Sequence, residues 1–158
     1  MGFFAMLLSL LGIGSSCSEI EDIFGPRLMY GSPTARYSVK GTVTDEAGTP
    51  VPGIKVVVSG VYSFNDGINA PVRDYFQLAD TLSTDGSGNY SIQDRSSIPY
   101  HEILIRTFDT DGDLNGGTFA PDSASVTNIN FVKDKDDKSE WYCGKADVNV
   151  PVIRLKKK

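Results

Sequence analysis

The chain has 158 residues, with 20 acidic against 15 basic side chains, a net charge of −5 and a single histidine. Its 22% charged and 40% hydrophobic residues are ordinary for a globular domain and argue against wholesale disorder. The acidic balance argues against a nucleic-acid partner, since the only basic run is Lys156–Lys158 at the extreme end. One histidine and two cysteines fall well short of a zinc set once one cysteine is otherwise engaged.

The chain opens "MGFFAMLLSLLGIGSSCSEIEDIFG". The first sixteen residues carry no charge and no polar stripe at helical period, and they are shorter than the roughly 20 residues that span a bilayer core. An apolar run ending in Gly14, Ser15 and Ser16 directly before Cys17 reads as a secretory leader. That junction resembles a lipobox, the cleavage site of bacterial lipoproteins. The resemblance implies a signal peptide over 1–16 and an acylated Cys17 as the first mature residue, anchoring the chain to a membrane. The alternatives are a plain signal peptide with an incidental cysteine, or a membrane-anchoring helix. With Cys17 acylated, Cys143 has no disulfide partner.

Residues 17–35 contain Gly-Pro and Ser-Pro breaks without sustained period and read as a lipid-anchored tether. Acidic Glu19, Glu21 and Asp22 just after the anchor resemble the export signals of some Gram-negative lipoproteins, which implies the outer membrane, on its periplasmic or surface face. A generic solvated spacer is the alternative.

From Arg36 onward the period becomes two. Tyr37, Val39, Gly41 and Val43 alternate with Ser38, Lys40, Thr42 and Thr44, the pattern of a half-buried strand. "DEAGTPVPG" turns the chain, and Ile54, Val56 and Val58 line one face of a second strand. "RDYFQLADTLSTD" is a third strand region. "DGSGN" is a turn that sends Tyr90 and Ile92 inward, and "HEILIRTFD" is apolar enough to lie centrally. "SVTNINFVK" and "DVNVPVIRL" complete the count. Pro151 cannot donate to a ladder, and the apolar parity shifts from Val148, Val150 and Val152 to Ile153 and Leu155, so a bulge is expected there. Seven short strands without an amphipathic helix predict an all-β, Ig-like sandwich over 36–158, with a small barrel as the alternative.

"YSVKGTVTDEAGTPVPGIKVVV" followed by "TLSTDGSGNYSI" resembles the carboxypeptidase-regulatory-like domain, a transthyretin-like sandwich. Such modules usually serve as accessory domains, so the resemblance bears on fold far more than on chemistry. The lipobox, "YGSPTARYSVKGTVTDEAGTPVPGIKVVV", "FDTDGDLNGGTFAPDSASV" and "WYCGKADVNVPVIRLKKK" together are similar to the radical-SAM-associated lipoproteins of Gram-negative anaerobes. That similarity implies a radical SAM enzyme as partner, or as the enzyme that modifies this chain; in the second case "EWYCGK", with Cys143, is the first place to look.

Three further features bear on function. Asp109, Asp111, Asp113 and Asn115 alternate in "DTDGDLNGG", the oxygen-rich spacing a calcium ion takes, although Leu114 and Ala120 stand where an EF-hand has its Gly and Glu. An acidic turn is the plainer reading. Tyr62, Phe64, Tyr75 and Phe76 offer an aromatic platform for a glycan or protein ligand, or else core packing. His101 in "PYHEIL" lacks an evident nucleophile, and no carboxylate pair is placed for acid–base work, so a non-catalytic chain is expected.

Overall fold

The computed structural model describes residues 31–64, 72–79 and 81–158. Cys17 and the 1–16 leader lie outside the described residues. Ser32–Lys158 forms one compact unit. Its strands are β1 (Thr34–Asp45), β2 (Lys55–Phe64), β3 (Val72–Gln77), β4 (Leu82–Ser83), β5 (Asn89–Ser97), β6 (Glu102–Phe108), β7 (Asp122–Thr127), β8 (Tyr142–Asn149) and β9 (Ile153–Leu155). The described strands therefore number nine rather than seven. The third strand region splits into β3 and β4, and the last into β8 and β9.

Two sheets make a sandwich. One runs β5-β1-β8, with β9 continuing along β1 beyond β8; the other runs β3-β2-β6-β7, with β4 beyond β3 along β2. Its first strand begins at Thr34, inside the stretch read as tether, and Ala35 is already fully buried. Of "SVTNINFVK", only the part through Thr127 is strand; Val132 then meets Lys145 as an isolated antiparallel bridge.

Alternation explains the core. Tyr37, Val39 and Val43 of β1, Val56 and Val58 of β2, and Ile103 and Ile105 of β6 all point between the sheets and are essentially inaccessible. Tyr90 and Ile92 follow from β5, and Ala146, Val148, Ile153 and Leu155 from the C-terminal strands. Each such side chain contributes about 1.5–3 kcal/mol by leaving water.

β1 is hydrogen-bonded along both edges, antiparallel to β5 and parallel to β8 and β9. From Lys40 to Val43 it advances three residues, whereas its partner advances four, from Asn149 to Ile153. The extra residue is the bulge expected around Pro151, and it restores Ile153 and Leu155 to the core face.

Two glycines admit aromatic rings. A Cβ on Gly41 would stand 2.3 Å from the Tyr90 hydroxyl oxygen, and one on Gly60 would stand 2.1 Å from the Tyr100 ring. Each tyrosine thus lies flat across a strand position with no side chain of its own.

The segments around Val51–Ile54 and Thr84–Asn89 are joined by side-chain hydrogen bonds. Thr84, buried, donates its hydroxyl to the Val51 carbonyl at 2.7 Å and accepts the Ile54 amide at 3.0 Å. Asp85 accepts the amides of Ser87 and Asn89 at 2.9 and 2.8 Å. Together they lock the 51–54 reversal to the hairpin that opens β5.

Candidate functional site

The sandwich has two ends. At one end lie the start of β1, the end of β2 and the start of β6; at the other lie the 46–54 turn, the 85–88 turn and the 109–121 loop. The first end is aromatic. A cleft of about 430 Å³ opens there, walled by Pro33, Tyr62, Pro99, Tyr100, His101 and Phe131. Its floor rests on Tyr37, whose ring lies 5.8 Å from Tyr100 and 5.7 Å, edge-on, from Phe131.

Two ring pairs shape this corner. Tyr62 stacks on His101 with centroids 6.1 Å apart and 28° between planes, and Phe76 stacks on Tyr100 at 6.1 Å and 25°. Strand register explains the second pair, because Phe76 stands opposite Gly60, over which Tyr100 lies. Tyr75 points to the other face of β3, opposite buried Val61. The Arg73 guanidinium lies 5.9 Å from the Tyr75 ring centroid and pairs, across β2, with Glu102 of β6. Tyr62, Tyr75 and Phe76 remain 38%, 52% and 44% exposed, a concentration of apolar ring surface on one edge of the fold.

Of the aromatic platform read from the sequence, Tyr62 and Phe76 share one face at this corner and Tyr75 lies on the opposite face of the same edge strand as Phe76; the side chain of Phe64 lies outside the described residues. Tyr100, Pro99, Phe131 and Pro33 were missed. The signal for Tyr100 was "SIPYHEIL", an aromatic held by a proline just before a central strand. His101 serves as a stacking partner in this corner.

The acidic loop at the opposite end closes on itself. Asp109 accepts the Phe119 amide at 2.7 Å and the Asp111 amide at 3.2 Å. The Asn115 amide donates to Asp111, and the Thr118 hydroxyl donates to Asp113 at 2.8 Å. Partial burial by itself would raise the Asp109 pKa, but hydrogen bonds from Phe119, Asp111 and Gly112 outweigh it and hold the carboxyl below its usual range. The loop thus brings Asp111 to Asn115 and Asp113 to Thr118, each acid with its own donor. Among the described residues, no group of three or more His, Cys, Asp or Glu is placed to hold a metal ion.

Cys143 is a free, half-buried thiol packed against the core. It sits in a second bulge, where β1 advances two residues from Thr34 to Arg36 while β8 advances three from Tyr142 to Lys145. Gly144 follows at φ 120°, with the Val132 carbonyl where a Cβ would point. Trp141 holds the start of β1 through its carbonyl, which accepts the Thr34 amide at 2.7 Å.

Two larger depressions, of about 580 and 500 Å³, cross the β5-β1-β8 sheet over polar side chains such as Lys40, Ser91 and Asn149. Apart from Tyr90 in the larger one, they lack the rings that make the smaller cleft chemically distinctive.

No family model matches this sequence, and no curated protein matches it. Among solved structures, the chain is similar to 3-chlorocatechol 1,2-dioxygenase from Rhodococcus opacus 1CP, at 13% identity and a TM-score of 0.41, covering 84% of this chain and 63% of that one. It is similar to catechol 1,2-dioxygenase from Pseudomonas arvilla C-1, at 13% identity and a TM-score of 0.42, covering 96% and 68%. It is also similar to the C-terminal domain of the shaft pilin spaA from Lactobacillus rhamnosus GG, at 7% identity and a TM-score of 0.35, covering 78% and 98%. The chain thus spans less than two thirds of the first of these. The likenesses concern β-rich architecture and bring no evidence of catalysis to this chain.

Proposed function

We propose that this chain is a non-catalytic, lipid-anchored β-sandwich of the cell envelope, held at the outer membrane through Cys17 and acting as a binding partner within a radical SAM system. One observation supports a binding role above others. The acids that read as a calcium set (Asp109, Asp111 and Asp113) are engaged in shaping their loop, and Tyr62, Tyr75 and Phe76 present ring surface beside an aromatic cleft. Rings exposed in this way supply large contact area at small entropic cost, which suits recognition.

The anchoring part of the reading is tested by the intact mass of the mature protein isolated from its native membranes. The expected mass is that of a chain beginning at Cys17 with acyl groups and nothing more. A mature chain that begins elsewhere and lacks acyl groups would rule out the anchor. Additional mass on a fragment containing Cys143 would instead make the chain a substrate of the radical SAM enzyme.

A further inference from the structure

We propose that the aromatic corner is a second membrane contact: the edge formed by Tyr62, Tyr75 and Phe76 docks onto the headgroup region of the bilayer that holds the lipid anchor. This rests on the anchoring proposed above and adds to it a defined face of the folded domain.

Chain connectivity selects the occupant. The polypeptide enters the domain at Ser32 and Pro33, and both residues line the aromatic cleft itself. From Cys17 to Ser32 the chain spans at most on the order of 50 Å. The cleft-bearing end is thus the tethered end, and the acidic 109–121 loop is the end remote from the tether. Tethering makes a second contact intramolecular, so a modest affinity suffices to hold the domain down.

Ring chemistry points the same way. Among the described residues, His101 is the only ionisable cleft wall apart from the two tyrosine phenols, and the exposed Arg73 is already paired with Glu102. Exposed Asp74, opposite Tyr62, adds a negative charge at this corner, so the contact is carried by ring surface and not by charge. Tyrosine places an apolar ring against acyl chains while its hydroxyl stays among polar groups, which is why such rings gather at membrane interfaces. Tyr75, with its ring half exposed and a guanidinium beside it, has that disposition.

The test uses the mature acylated protein reconstituted in phosphatidylethanolamine–phosphatidylglycerol vesicles containing brominated acyl chains. Trp141→Phe removes the single native tryptophan, and a reporter is then introduced by Tyr75→Trp or, at the remote end, by Leu114→Trp. Circular dichroism first establishes that both variants fold. The expected result is a blue shift and loss of most emission at position 75, with emission at position 114 unchanged. Equal, weak quenching at both positions in vesicle-bound protein would overturn the docking while leaving the anchor intact. Absence of acyl mass would remove the anchor instead, so the two failures are distinguishable. A response at position 75 to a soluble oligosaccharide such as chitotriose, without quenching by vesicles, would also overturn the proposal and assign the corner to a glycan.

Discussion

Tyr37 and Tyr100, 63 residues apart in sequence, share one hydroxyl: the Tyr100 amide donates to the Tyr37 phenol oxygen at 2.7 Å, and the phenol donates onward to the Ile98 carbonyl at 2.9 Å. The turn that shapes the aromatic cleft is therefore tied to the central strand of the opposite sheet. Tyr90, the other deeply buried tyrosine, has no hydrogen-bond partner for its hydroxyl among the described residues. Tyr37→Phe should cost about 1–3 kcal/mol by leaving a buried amide and carbonyl unmatched, whereas Tyr90→Phe should be neutral or stabilising. Urea denaturation of the two variants side by side checks the contrast, and equal losses would contradict it.

Burial also pushes the Tyr37 pKa up to about 12, against the smaller opposing effect of the Tyr100 amide. A phenol with a folded pKa above its unfolded value near 10 stabilises the fold fully below about pH 10, and that stability is lost as pH rises toward 12. Alkaline unfolding should therefore steepen above about pH 10, and less so in Tyr37→Phe. Melting temperature followed across the alkaline range reads the difference.

Thr84 makes two buried hydrogen bonds to the 51–54 reversal with a single hydroxyl. Thr84→Val keeps the volume and removes both, at an expected cost of about 1–3 kcal/mol, while Thr84→Ser should recover most of it. A fall in the denaturation midpoint with an unchanged slope would show that stability, and not compactness, has changed.

Gly88 and Gly48 separate backbone strain from collision. Both have positive φ, at 71° and 86°, but a Cβ on Gly88 would stand 2.4 Å from the Val43 carbonyl, while one on Gly48 meets nothing within 4 Å. Gly48→Ala should cost about 1 kcal/mol, from conformation alone. Gly88→Ala should cost several-fold more, because the β1–β5 pairing must shift to admit the methyl group. Thermal unfolding of both variants decides this.

Asp109 makes the acidic loop sensitive to pH. A carboxyl held below its unfolded value near 3.9 contributes stability that is present above about pH 4 and is lost as pH falls through the lower folded value. Asp109→Asn should flatten the acid side of the stability profile and loosen the loop at Phe119. Because the loop's carboxylates already have separate donors, millimolar Ca²⁺ should leave the melting temperature unchanged. A rise that Asp111→Asn abolishes would establish a calcium site at Asp109, Asp111, Asp113 and Asn115.

What could be determined from the sequence was what depends on neighbours along the chain. Period-two alternation identified the buried faces of β1 and β2 because successive strand residues point to opposite sides, whatever the partner. The parity change beside Pro151 announced the bulge before β9, and the turn residues of "DGSGN" announced the hairpin before β5. The same logic overextended "SVTNINFVK", where apolar Phe131 and Val132 leave the sheet, and it ran β3 and β4 together as one strand region, although β4 pairs separately with the start of β2. Tertiary structure alone decided the parallel alignment of β1 with β8 and β9, which joins opposite ends of the chain. It alone assembled the cleft, since Pro33, Tyr62, Tyr100 and Phe131 come from four distant segments that share no local pattern. It also tied Asp109 to the Phe119 amide and Asp113 to the Thr118 hydroxyl, because Phe119 and Thr118 return to the loop from beyond its own spacing. Local periodicity reports which way a side chain points; only the packing of two sheets determines what it meets there.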